Sequence, residues 1–81
     1  MKNVYETSDL GVASALACLG YQIKALDRNS NDPRRVIFCF EIEQGLPEAI
    51  AAYWTGELKV SALHLLTHQK LLKQRIYSAQ Q

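Results

Sequence analysis

Arg34-Arg35-Val36-Ile37-Phe38-Cys39-Phe40-Glu41-Ile42-Glu43 is the stretch on which the fold turns. Successive side chains of a strand point to opposite faces. Val36, Phe38, Phe40 and Ile42 therefore share one face, and Ile37, Cys39, Glu41 and Glu43 share the other. The first face is wholly apolar, as a core face should be. The second passes from apolar to acidic along its length. This pattern predicts a strand. Phe38 and Phe40 also have the i, i+2 spacing of base-stacking aromatics on RNA-binding sheets. Val36 and Ile42 extend their face and no basic residue interleaves, so core is the better assignment.

Arg28-Asn29-Ser30-Asn31-Asp32-Pro33 precedes that strand. It is polar, rich in turn formers and closed by a proline, which predicts a loop. Before it, Tyr21-Gln22-Ile23-Lys24-Ala25-Leu26-Asp27 begins with period-two alternation. The two strands are expected to form a hairpin around a six-residue loop. Further back, Thr7-Ser8-Asp9 starts a helix running from about Asp9 to Leu19. Thr7 or Ser8 is the expected cap, and Asp9 sits where the helix dipole favours an acid. Gly20 stops the helix, because glycine accepts the left-handed conformation of a C′ residue.

After Asp9 this first helix carries no charge. Val12, Ala15, Leu16 and Leu19 cluster on one face, while Gly11, Ala13, Ala17 and Cys18 keep the rest small and neutral. A helix apolar nearly all round is buried on more than one side. Either it is the central helix of the domain, or its outer face meets another molecule. Residues 3–6 are a candidate third strand.

Beyond Glu43, Gly45-Leu46-Pro47-Glu48 opens a second helix, with proline and an acid placed for its first turn. It continues through Ala49-Ile50-Ala51-Ala52-Tyr53-Trp54 and stops at Gly56. Ser61 is a good N-cap for a last helix from about Ala62 to Tyr77 or Ser78. Ala62, Leu65, Leu66, Gln69, Leu72 and Ile76 form its expected stripe, with Lys70, Lys73, Gln74 and Arg75 largely off it.

The chain has 81 residues, 48% hydrophobic and 21% charged, the profile of one small globular domain over residues 1–81. Nine Lys and Arg against eight Asp and Glu leave a formal charge of +1, so no global basic excess announces a nucleic-acid binder. No uncharged stretch approaches the roughly 20 residues of a membrane span. The N-terminus has no signal-peptide pattern. Cys18 and Cys39 form no CxxC and are expected as reduced, buried thiols in a cytoplasmic protein. A domain this small has a thin stability margin, which makes a homo-oligomer or a bound partner a natural supplement.

Charge is uneven along the chain. Residues 41–60 carry a local balance of −3, and residues 61–81 one of +3, with no acid. These are two solvated faces, or they complement each other inside the fold, or the last helix docks on an acidic partner or a phosphate backbone. Lys70, Lys73 and Arg75, joined by Arg34 and Arg35, are the residues of a nucleic-acid reading.

Catalytic patterns are missing. His64 and His68 are four apart on a helix, the spacing of some zinc pairs, but no glutamate lies between them and nothing in the sequence places a third ligand. Neither a metal nor another cofactor is expected. No Gly-x-Ser-x-Gly or phosphate-cradling glycine loop occurs. Glu41 and Glu43 share a strand face, which is better explained as an exposed strand end than as an acid–base pair. Tyr53 and Trp54 are adjacent, so one can enter the core while the other stays exposed for a partner.

Tyr5-x-Thr7-Ser8-Asp9-Leu10, then Ala13, Leu16, Gly20-Tyr21 and Val36-x-Phe38-x-Phe40-Glu41, resemble a family of small bacterial and phage proteins that is a domain of unknown function. Tyr53-Trp54-Thr55-Gly56, Val60, Leu72-Lys73 and Ile76-Tyr77 extend the resemblance over nearly the whole chain. It implies no catalytic residue. It implies a setting among accessory genes of phages and mobile elements, where small proteins often block host defence complexes, as anti-CRISPR proteins do.

These observations give an α+β expectation: an antiparallel hairpin, with a short N-terminal third strand, packed against three helices. The expected function is a non-catalytic module that binds protein, with Tyr53, Trp54, Ala13 and Ala17 as contact residues. A small nucleic-acid-binding protein with a basic last helix is the alternative.

Overall fold

The computed structural model describes residues 4–29 and 32–79, with side-chain placement for 4–27 and 36–78. The strand that opened the argument is β3, Asp32–Glu41. Its neighbours are β1, Val4–Thr7, and β2, Ile23–Asn29, both antiparallel to it. The sheet order is β1-β3-β2, so β3 is central and the candidate N-terminal strand is real. The helices are α1, Leu10–Cys18; α2, Leu46–Thr55; and α3, Ala62–Ala79. Three helices with a three-stranded antiparallel sheet make the fold α+β.

Alternation along β3 sorts the sheet into two faces. Val36, Phe38 and Phe40 are buried, with Phe40 wholly inaccessible. They meet Val12, Ala13 and Leu16 of α1, Leu46 of α2 and Leu72 of α3 in one core. Tyr5, Ile23 and Leu26 of the flanking strands pack against the same cluster. The opposite face carries Glu6, Ala25, Asp27, Cys39 and Glu41, by the same alternation. Ile42 lies past the end of β3 and is exposed, so it leaves the predicted core face.

The hairpin differs from the expectation. Strand pairing runs on to Asn29 opposite Asp32, so most of the predicted six-residue loop is strand; residues 30–31 lie outside the described residues. β1 pairs with β3 only over Phe38 to Glu41. At Pro33 the central strand therefore has one neighbour, not two, and a residue without an N–H is tolerated there.

Helix α1 is the central helix. Val12, Ala13, Ser14, Ala15 and Leu16 are all buried, a run longer than one turn, so no side of this segment faces solvent. Its cap is Asp9, not Thr7 or Ser8: Asp9 Oδ1 accepts from the Val12 N–H at 3.1 Å, and Thr7 Oγ1 accepts from the Asp9 N–H at 3.1 Å. Ser14 is the buried polar residue of this helix, and its hydroxyl has no hydrogen-bond partner among the described residues.

Helix α2 lies between two glycines, as predicted. Gly45 has φ +89° and Gly56 φ +79°, a backbone conformation that side chains with a Cβ rarely adopt. Pro47 occupies the first turn, where no N–H is missed. Helix α3 begins after Ser61, whose hydroxyl accepts from the His64 N–H at 3.4 Å. It packs on α1 through Leu72, with Ile76 against the same core. Ala62 and Leu66 of the predicted stripe are exposed instead. Among the described residues, no helix is long and apolar enough to cross a membrane.

Candidate functional site

The outward side of α3 exposes what its inward side hides. Leu63 is 71% exposed, Leu66 61% and Tyr77 65%. Lys70 and Lys73 are exposed between them. The order Leu63, Leu66, Lys70, Lys73, Tyr77 advances by three or four residues each time, so all five lie on one stripe. No acidic residue occurs anywhere in α3. Leu66, Gln69, Lys70 and Lys73 line a shallow recess of about 280 Å³.

The sequence-predicted protein-binding residues lie on other elements, Ala13 and Ala17 on α1 and Tyr53 and Trp54 on α2. Trp54 is 62% exposed at the end of α2, and its ring stands edge-on to Tyr53 with centroids 5.1 Å apart. Tyr53 is half-buried and packs on the core, so the pair divides as expected. Ala13 is wholly inaccessible. The prediction that it contacts a partner is therefore corrected: the domain's own core covers it. Ala17 is half-buried and lines a cleft of about 290 Å³ with Tyr21, Ile23, His68, Leu72 and Arg75.

Among the described side chains, Lys70, Lys73 and Arg75 do not make one surface. Arg75 follows Lys70 by five residues, about 140° further round the helix. It faces a second, more open groove of about 660 Å³ against β2, lined also by Leu26, Leu71, Gln74 and Ser78. Lys70 and Lys73 remain together on the outward stripe. The side chains of Arg34 and Arg35 lie outside the described residues.

The face of the sheet turned away from the helices brings together three groups that sequence reasoning missed. Cys39 is 5% exposed. Its Sγ lies 3.5 Å from Asp27 Oδ2 and 3.6 Å from Glu6 Oε2. The pairing register explains the meeting: Glu6 is opposite Cys39, and Asp27 is opposite Ile37, diagonal to it. Burial, then the hydrogen bond and charge of Asp27, then Glu6, push the Cys39 thiol up to about 11 from an ordinary 9.0. Alternation placed Cys39 on this face; only the order of the strands shows which carboxylates flank it.

The other candidate chemistry does not assemble. Glu41 is 3.6 Å from Lys24 in an exposed ion pair, and β3 ends there, so Glu43 does not stand beside Glu41 on the strand. His64 is exposed and His68 half-buried. Neither belongs to the three-ligand set that the described residues hold.

The family described as Domain of unknown function (DUF5659) matches residues 2–78. No curated protein and no solved structure matches the chain.

Proposed function

The chain belongs to this family of unknown function, and from its surface we propose a non-catalytic binding module that docks an acidic protein partner on the outward stripe of α3. One observation carries the reading: Leu63, Leu66 and Tyr77 are more than half exposed and interleaved with Lys70 and Lys73. Large apolar side chains grouped on a monomer's surface mark interaction sites. Tyrosine contributes strongly at such sites, and Tyr77 is 65% exposed on this stripe.

The charge pattern favours a different protein over a second copy. Lys70 lies midway between Leu63 and Tyr77. A two-fold pairing of α3 on α3 would bring the lysines of both copies together at its centre, where like charges repel. An acidic partner surface meets no such opposition. Inhibition of a host defence complex is the form this role would take in a protein of phage or mobile-element type.

The test is capture from the native host lysate by the wild type, by Leu66→Glu and by Lys70→Glu/Lys73→Glu. The reading expects one protein with an acidic surface, retained by the wild type and lost with both variants. Retention by both variants overturns it. Oligonucleotide anisotropy addresses the nucleic-acid alternative. Two phosphate contacts from Lys70 and Lys73 predict a log–log salt slope near −2, and no binding at low salt removes that class.

A further inference from the structure

We propose that Glu6, Asp27 and Cys39 form a binding site for a zinc-like divalent cation on the open face of the sheet. The three side chains come from three different strands, and their candidate ligand atoms all lie within 4.8 Å of one another. Register holds them there: Glu6 faces Cys39 across the β1–β3 pair, and Asp27 reaches it diagonally from β2.

Two observations point to a cation. The first is proton arithmetic. A thiol has one hydrogen, yet the Cys39 sulfur, nine-tenths buried, faces a carboxylate oxygen on each side at 3.5 and 3.6 Å. At most one contact is a hydrogen bond at any moment. The other sets sulfur against a carboxylate, with no positive group from the described residues between them. The second is distance. Tetrahedral zinc, with Zn–S about 2.3 Å and Zn–O about 2.0 Å, holds its sulfur and oxygen ligands about 3.5 Å apart. Both sulfur–oxygen separations in the cluster have that length, while the three ligand atoms spread to 4.8 Å, so binding requires the exposed carboxylates to turn in onto the ion.

The donor set selects the ion class. A thiolate with carboxylates suits zinc and its neighbours, whereas calcium and magnesium take oxygen ligands alone. The carboxylates are exposed, so the side away from the sheet admits water as a fourth ligand. Binding breaks the Cys39 S–H bond and forms a sulfur–metal bond. The thiol proton passes to solvent, and no electron is transferred.

Cobalt(II), added to the reduced full chain without oxygen, is the probe, because a cobalt–thiolate bond absorbs in the near ultraviolet. The expected result is one such band per chain, displaced by zinc and unaffected by millimolar magnesium or calcium. Cys39→Ser abolishes the band and Cys18→Ser leaves it. Glu6→Gln and Asp27→Asn keep the thiol in place, so they test the site even where Cys39→Ser fails to fold. Each should weaken cobalt binding about tenfold to a hundredfold, since loss of even an outer-sphere partner has that effect. No band in excess cobalt, a band that persists in Cys39→Ser, or unchanged affinity in both carboxylate variants overturns the proposal.

Discussion

Gly11 of α1 lies directly beneath the hydroxyl of Tyr53 of α2. A Cβ added at Gly11 would collide with that oxygen, and would also come within 3.1 Å of Asp9 Oδ1, the oxygen that caps the helix. The position is helical with ordinary backbone, so glycine is present for the approach of α2 and not for its own conformation. Gly11→Ala should destabilise the domain, although alanine alone would favour the helix by about 1 kcal/mol. In a Tyr53→Phe background the hydroxyl is gone and the same substitution should become neutral or stabilising. Urea denaturation of the four proteins of that cycle reads the change of sign; a Gly11→Ala effect of equal size in both backgrounds contradicts it.

Ser14 offers the opposite kind of substitution. Its hydroxyl is buried and unpartnered among the described residues. A buried group without a hydrogen bond costs about 1–3 kcal/mol, and alanine also has the better helix propensity. Ser14→Ala should therefore raise stability by about 1 kcal/mol, or about 4–8 °C in Tm for a domain of this size. A fall in Tm means that the hydroxyl has a partner in solution.

Ala13 and Leu66 separate core from surface. Ala13→Glu forces a carboxylate among Leu16, Phe38 and Phe40. An uncompensated buried charge costs about 3–5 kcal/mol, enough to unfold much of a small domain. Leu66→Glu, at a position 61% exposed, should stay within about 0.5 kcal/mol of the wild type. Circular dichroism melts distinguish the two; a folded Ala13→Glu protein of normal stability would contradict the packing of α1.

The thiol of Cys39 sets an alkaline limit. Its pKa in the folded, chelator-treated protein is pushed up to about 11, above the ordinary 9.0 of the unfolded chain. The contribution is fully present below pH 9 and is lost as pH rises through 11, because the unfolded state ionises first. Stability should fall across that window, and Cys39→Ala should flatten that part of the profile. A thiol reagent should label half-buried Cys18 faster than buried Cys39 in folded protein. Equal labelling rates would contradict the burial of Cys39.

Much of the fold was legible because its signals are local. Val36, Phe38 and Phe40 alternate, Gly45, Pro47 and Gly56 bracket α2, and the charge-free run after Asp9 marks a helix buried all round. The hairpin was read too short. Asn29 and Asp32 are turn formers by propensity, but strand pairing continues through them. The outer stripe of α3 was misassigned for a related reason. Leu65 and Leu66 both look like core, and only the packing of Leu72 against α1 decides which faces inward. The carboxylate–thiol cluster was illegible because Glu6, Asp27 and Cys39 meet only through strand order, which no local pattern encodes.

That strand order governs how the chain folds as it is made. Val4 pairs with Glu41 and Thr7 with Phe38, so β1 cannot pair until the end of β3 has been made. At about 5–20 residues per second, some 2–6 s separate Thr7 from Phe38 on the ribosome. For most of that interval α1 is an uncharged apolar segment without the complete sheet, α2 or α3 to cover it. The β2–β3 hairpin can close first, since its contacts are local, and β1 then joins an edge that is already formed. Until residues 38–41 are made, β1 has no edge to join and α1 has no complete sheet to pack on.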